Sequence, residues 1–260
     1  MDRIYRVADG ATISYAIERQ GALFRAVLAG ATIFDGYAAG PAIPGGLASV
    51  RVLAPVVPPK MVCVGLNYRD HAAEMKKALP PEPMIFLKPS TTNLDPGAAV
   101  LLPPDVGRVD YEAELAIVIG RRAHRVPRAK AWDYIFGVTC VNDVTARDIQ
   151  NKEVQYTRAK GFDTFAPIGP CILTGAGPET RTVECVINGQ VRQSSSTAQL
   201  IFPIDFLVEY ITFVMTLEPG DVISTGTPSG VGPLHAGDVV TVKVAGVGEL
   251  TNDVRAEAQE

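Results

Sequence analysis

Apolar and polar positions alternate with a period of two along much of this chain. Turns containing Gly or Pro interrupt the alternation every few residues, as expected of short strands that face a core on one side. Over residues 1–55 the pattern is carried by Tyr15-Ala-Ile-Glu-Arg and Leu23-Phe-Arg-Ala-Val-Leu, which predicts a few antiparallel strands and a small N-terminal β subdomain. The run Ala54-Pro-Val-Val-Pro-Pro-Lys60 breaks regular structure, because proline fixes φ and lacks an N–H. It places a boundary between residues 1–55 and a larger unit over 56–260. In that unit strands are predicted at 62–66, 84–87, 115–119, 135–142, 182–187, 221–224 and 239–244, with Asn188-Gly189 as a hairpin turn. Helical spacing is confined to 69–78, to 204–216 with Pro203 at its start, and to a shorter stretch after Thr145. The polar segment 254–260 is expected to fray. Strands with a few helices in mixed order predict an α+β, mainly β architecture, not a doubly wound parallel sheet.

Composition narrows the function classes. A length of 260 residues suits one domain with a small appendage. Hydrophobic residues make up 47% and charged residues 20%, with 24 Gly and 20 Pro, which fits a strand- and turn-rich globular protein. The net charge of -4 and a pI near 5.5 supply no basic field for a polyanion, which argues against a nucleic-acid partner. Asp2, Arg3, Arg6, Asp9, Glu18 and Arg19 interrupt any secretory apolar core, so a cytoplasmic location is expected. The most apolar stretch, 200–217, contains Pro203, Asp205 and Glu209, which would be costly in a bilayer, so no membrane association is expected. The four cysteines lie far apart in apolar runs without CxxC spacing and read as reduced core residues, not a zinc site. No GxGxxG or GxxxxGK[ST] run points to a nucleotide.

The candidate chemistry begins at Val109-Asp-Tyr-Glu-Ala-Glu-Leu-Ala-Ile-Val-Ile-Gly120, where Glu112 and Glu114 lead into an apolar strand. At i, i+2 in extended chain both carboxylates share a face. Two like charges so close suit a hard divalent cation held by oxygen, although a solvated strand end has the same sequence. Asp143 ends the apolar run 138–143 and offers a third ligand; helix capping by Asn142 or Asp143 is the alternative. Arg147 and Gln150, at i, i+3, share a helix face on which a guanidinium fork can hold a substrate carboxylate. His71 and Glu74 are one turn apart on a helix that Asn67 can cap. A carboxylate that fixes the imidazole tautomer lets the pair take a proton from water, whereas an exposed helical pair would be inert. Lys160, beside Gly161 in an aromatic stretch, and Lys88 more weakly, are placed to neutralise an oxyanion, or else are surface lysines. Gly226-Thr-Pro-Ser-Gly230 can present backbone N–H groups to an anion or be a plain turn. His124 and His235 lack a partner and read as surface residues.

In this order, Gly65-Leu-Asn-Tyr-Arg-Asp-His-Ala-Ala-Glu74, Phe86-Leu-Lys-Pro-Ser90, Asp110-Tyr-Glu-Ala-Glu114, Asn142-Asp-Val-Thr-Ala-Arg-Asp-Ile-Gln150, the stretch 160–170 and Gly226-Thr-Pro-Ser-Gly230 resemble the fumarylacetoacetate hydrolase superfamily. The resemblance implies a mixed β-sandwich roll, usually a homodimer, with a small N-terminal β subdomain in the shorter bacterial members. It implies Mg²⁺ or Mn²⁺ on Glu112, Glu114 and Asp143, a water-activating pair His71 and Glu74 on a lid, and Lys160 stabilising negative charge. Arg147, Gln150, Lys88 and Thr227 would contact the substrate. The implied reaction is C–C bond cleavage, by hydrolysis or decarboxylation, in a small 2-oxo or 2,4-dioxo acid through an enolate. Isomerisation or tautomerisation of a 2-hydroxy-dienoic acid from aromatic catabolism is the alternative on the same scaffold, and a non-catalytic oxo-acid binder is a third.

Overall fold

In a computed structural model, which describes residues 1–258, the chain opens with β1 (Arg3–Asp9), β2 (Thr12–Arg19), β3 (Ala22–Leu28), β4 (Tyr37–Ala42) and β5 (Arg51–Leu53). Next come β6 (Met61–Val64), helix α1 (Arg69–Glu74), β7 (Ile85–Lys88), β8 (Asn93–Leu94) and β9 (Ala99–Leu102). The middle of the chain holds β10 (Val109–Tyr111), β11 (Ala113–Ile119), β12 (Ile135–Asn142), β13 (Thr145–Ala146), α2 (Arg147–Lys152), α3 (Thr157–Lys160) and β14 (Ala166–Thr174). It closes with β15 (Thr182–Ile187), β16 (Gln190–Ser196), α4 (Ile204–Val214), β17 (Val222–Ser224), β18 (Gly232–Pro233), β19 (Val239–Val244) and β20 (Gly248–Ala256).

The strands form a large mixed sheet in the order β4-β3-β2-β1-β14-β12-β11-β17-β6-β7, a five-stranded sheet β16-β15-β19-β20-β9, and a small sheet β13-β10-β18. β11 lies inside the large sheet, and all seven of its residues are buried. Leu115, Ile117 and Ile119 pack with Val138, Cys140, Val240 and Val242 in the core between the two sheets. Ala116 and Val118 face the other way, into a second core with Ile4, Ile17, Met61, Val141 and Ile172. A strand covered on both faces reads as a continuous apolar run, which is why 115–119 lacks alternation. The α+β, mainly β class is thus found as expected.

The N-terminal strands are antiparallel, and β1 pairs with β14, so they extend the large sheet directly. Asn188 and Gly189 both take positive φ between β15 and β16, the conformation a two-residue hairpin of matching twist requires. Helix α1 stops at Glu74, not at residue 78. Lys76 adopts φ 52, Lys77 N–H returns to Ala72 O at 2.9 Å and Lys76 N–H to Ala73 O at 3.1 Å, a Schellman ending. The expected fraying of 254–260 is corrected in part: β20 runs to Ala256, and Val254 is buried where it pairs with Val100 of β9. Residues 259–260 lie outside the described residues. Asn67 does not cap α1 either. Its Nδ2 donates to Thr225 O at 2.7 Å and its Oδ1 accepts from Phe202 N–H at 2.8 Å, tying α1 to the chain on both sides of α4. All four cysteines are buried and unpaired, and burial pushes the Cys171 and Cys185 thiols up to about 12. Among the described residues no helix is long and apolar enough to cross a membrane.

This packing sets a stability contrast. Ile117→Ala in β11 is expected to cost about 3 kcal/mol, seen as a lower urea midpoint at unchanged slope. Val154→Ala, at a residue 97% exposed, is expected to change stability by less than about 0.5 kcal/mol.

Candidate active site

The register of β11 on β12 builds the site. Ala113 pairs with Asn142, so the residues just beyond each strand, Glu112 and Asp143, stand opposite one another, and Asp143 N–H donates to Glu112 O at 2.9 Å. The Asn142 side chain accepts from Glu112 N–H at 2.9 Å and braces the break between β10 and β11. Neither Asn142 nor Asp143 caps a helix, because β13 intervenes before α2. Two residues on, Glu114 reaches the same space, and one carboxylate oxygen from each of Glu112, Glu114 and Asp143 lies within 4.8 Å of the others. All three are buried.

Cations surround two of the three carboxylates. Lys160, at the end of α3, donates to Glu112 Oε2 at 2.8 Å and to Asp143 Oδ2 at 2.6 Å. Lys88, on β7, donates to Asp143 Oδ1 at 2.5 Å and to Val144 O at 3.1 Å. Phe86 is two residues before Lys88 on the same strand, and its ring lies 5.1 Å from the Lys160 ammonium, a cation–π contact. Arg147 donates to Glu112 Oε1, to Gln150 Oε1 and, at 2.8 Å, to Asp110 Oδ2. Three of its five N–H donors are thus taken by protein groups, one of them on Glu112. Burial acts to raise the Glu112 pKa, but Lys160 and Arg147 outweigh it and hold the carboxyl at about 2. The neighbouring Asp143 and Glu112 carboxylates keep Lys160 protonated above its ordinary range in spite of burial.

Glu114 is different. Its Oε2 accepts from Ser224 Oγ at 2.6 Å and from Gly226 N–H at 2.8 Å, and among the described residues no cationic side chain bonds it. Burial, with Asp143 and Glu112 nearby, pushes it up to about 8. A buried carboxylate bonded by no cation, beside two others, is the feature a bound cation would satisfy. The all-oxygen donor set fits a hard divalent metal.

A second candidate group is the pair His71 and Glu74. His71 Nδ1 lies 3.0 Å from Glu74 Oε2, and Glu74 also accepts from Gly230 N–H at 3.1 and 3.2 Å on its two oxygens. The loop 225–230 thus touches both groups: Gly226 holds Glu114 and Gly230 holds Glu74. Gly226 has φ 98, and a Cβ there would stand 2.8 Å from the Asn67 Cβ, so only glycine lets the backbone pass at this point. Thr227 donates its hydroxyl to Ala113 O at 3.0 Å and accepts from Gln193 Nε2 at 2.9 Å, which fastens the loop to the strand bearing the glutamates. Glu112, Glu114, Asp143, Lys88, Lys160, Arg147 and Gln150 are joined through these contacts, while His124 and His235 are exposed and apart from them. Asp110, Ser224, Gln193 and Asp70 were given no role by the sequence. Asp110 carries a signal, two residues before Glu112 in the same run, but nothing in the chain relates position 193 to position 113.

Two packed β layers thus hold buried carboxylates at strand ends beside lysines from β7 and α3. The fumarylacetoacetate (FAA) hydrolase C-terminal family profile matches residues 60–255, and the chain belongs to this enzyme family. Over 223 residues it is 40% identical to oxaloacetate tautomerase YisK of Bacillus subtilis, covering 80% of this chain and 74% of that one. The fold superposes on a 2-hydroxyhepta-2,4-diene-1,7-dioate isomerase from Mycobacterium marinum with a TM-score of 0.90 at 40% identity, covering 100% of both chains. It superposes on a fumarylacetoacetate hydrolase from Exiguobacterium antarcticum with a TM-score of 0.86 at 33% identity, over 99% of this chain and 100% of that one.

The carboxylate shifts predict opposing pH effects. The raised Glu114 pKa favours the metal-free fold fully below the ordinary value of 4.5, and the contribution is lost as pH rises towards about 8. The depressed Glu112 pKa gives stability present above 4.5 and lost as pH falls towards about 2. The denaturation midpoint of EDTA-treated protein is expected to fall between about pH 5 and about pH 8, Mn²⁺ to raise it there, and Glu114→Gln to abolish both responses.

Proposed function

We propose that this protein is a divalent-metal-dependent enzyme that interconverts keto and enol forms of a small 2-oxo acid. The observation that supports this reading is the loop 225–230, whose Gly226 N–H bonds Glu114 and whose Gly230 N–H bonds Glu74. Glu112, Glu114 and Asp143 would hold Mg²⁺ or Mn²⁺. When bound, the ion supplies Lewis-acid polarisation of the substrate's carboxylate and 2-oxo oxygens. Lys160 and Lys88 offset negative charge that develops on the 2-oxo oxygen as a proton leaves C3. His71 has its Nδ1 on Glu74, so Nε2 takes that proton; the C–H electron pair becomes the C2=C3 double bond, and protonation of the oxygen completes the enol. The reverse order returns the keto acid. Glu74 fixes the tautomer and stabilises the imidazolium. Arg147 keeps Glu112 ionised and aimed, and the Gln150 amide nitrogen remains to meet a substrate carboxylate. The tautomerase and isomerase relatives support the same substrate class.

C–C bond cleavage is the second reading, favoured by the same pair, which suits activation of water for attack on a distal carbonyl, the enolate leaving as the C–C bond breaks. Decarboxylation would use the same electron sink. A pure binder has no need of a hydrogen-bonded His–Glu pair.

Enol-oxaloacetate, a 2-hydroxy-2,4-dienoic acid and an acylpyruvate, each with EDTA, Mg²⁺ and Mn²⁺, separate these readings. The expected result is metal-restored loss of enol absorbance with one of the first two acids, reduced about 100-fold in His71→Ala and in Lys160→Met. Faster release of pyruvate from the acylpyruvate would assign hydrolysis instead, and turnover indifferent to EDTA would remove the metal from the account.

A further inference from the structure

Strand β16 is the edge of the five-stranded sheet, and its residues 193 and 195 point to one side, as alternate strand positions do. Gln193 is buried and fully bonded: it accepts from Ala113 N–H at 2.9 Å and donates to Thr227 Oγ1 at 2.9 Å and Pro228 O at 2.8 Å. Two residues on, Ser195 Oγ donates to Asp70 Oδ2, while Asp70 Oδ1 accepts from His71 N–H at 2.7 Å. One strand therefore reaches the glutamate-bearing strand through Gln193 and the helix carrying His71 through Ser195.

Helix α1 needs such support. It has six residues and one buried side chain, Ala72, too little to be stable alone. Asp70 and Glu74 are like charges at i, i+4, a spacing that destabilises a helix. Each is met from outside, Asp70 by Ser195 and Glu74 by Gly230. Beyond the helix, residues 75–79 are all exposed. Four residues dock α1 and so bear on the orientation of the imidazole: Asn67 and the buried Tyr68, bridged to Leu200, at its start, and Ser195 and Gly230 on its flank.

We propose that Ser195 is a positioning residue for the His71–Glu74 pair, its hydroxyl latching α1 onto β16 through the Asp70 carboxylate. This rests on the acid/base role given to that pair above. The bond is charge-assisted and involves no oxygen of Glu112, Glu114 or Asp143, so its loss loosens the helix and leaves the carboxylate centre intact.

The test compares Ser195→Ala, Ser195→Thr, Asp70→Ala and the double variant Ser195→Ala/Asp70→Ala in the full chain. Three readouts apply: hydrogen exchange of residues 69–77, Mn²⁺ affinity by calorimetry, and kcat and KM on the acid the wild type turns over. Ser195→Ala is expected to speed exchange in 69–77 about tenfold and to lower kcat about tenfold. KM, Mn²⁺ affinity and exchange in 113–119 should stay within about twofold. Threonine should restore wild-type behaviour, and the double variant should lose no more than Asp70→Ala alone. Unchanged exchange in Ser195→Ala would overturn the latch, and faster exchange at undiminished kcat would overturn the positioning role. Wild-type protein inert towards every acid would count against the proposed activity, while the exchange readout still judges the latch.

Discussion

Antiparallel pairing of β11 with β12 is the constraint on which the rest of this structure depends. Both strands are buried on both faces along most of their length, so their register is set by where Leu115, Ile117 and Ile119 can meet Val138 and Cys140. A slip of one residue would send those side chains to the opposite core and is strongly disfavoured. The register that satisfies the core leaves Ala113 beside Asn142 and therefore Glu112 beside Asp143. Parallel β6 and antiparallel β17 extend the same sheet and carry Ser224 to Glu114. The apolar core thus determines where the charges go, at the ends of strands whose interiors have no place for them.

Collecting those charges is unfavourable taken alone. Each ion withdrawn from water costs several kcal/mol after relaxation, and only close pairing offsets it. Lys88, Lys160 and Arg147 do this for Asp143 and Glu112, and Asp110 shares Arg147. Glu114, bonded by a hydroxyl and a backbone amide, is left electrostatically short of a cation. A fold otherwise consistent from propensity to packing departs from that consistency here, as functional sites do. Lys160 has no freedom to act as a surface lysine: it is clamped between two carboxylates under the Phe86 ring.

The motifs that carry chemistry were legible because they are local. Glu112 and Glu114 share a face by the period of a strand, and His71 and Glu74 meet by the period of a helix, so spacing alone predicts both pairs. The strands at 182–187 and 239–244 follow from their alternation and that at 135–142 from its largely apolar run, and all three appear with those bounds. Helix α3, which delivers Lys160, was not foreseen, because four residues carry no periodicity. The spacing of Arg147 and Gln150 fits a substrate carboxylate, whereas the bonds of Arg147 to Asp110 and Glu112 depend on residues 35 to 37 positions away, which no local spacing records.

By itself the sequence determined the strand-rich class, the apolar runs that become the core, the family, and each pair of functional side chains separated by a few residues, because those depend on composition and on backbone periods. Tertiary structure decided for Asp143 between joining the glutamates and capping a helix, and it alone set that Lys88 and Lys160 pair with two carboxylates and not the third, that Arg147 bonds Asp110 and Glu112, and that β16 meets α1 through Ser195. These relations join residues 17 to 125 positions apart. Contacts at that separation are fixed by which sheet registers bury the apolar faces together, and no local pattern of residue types records that choice.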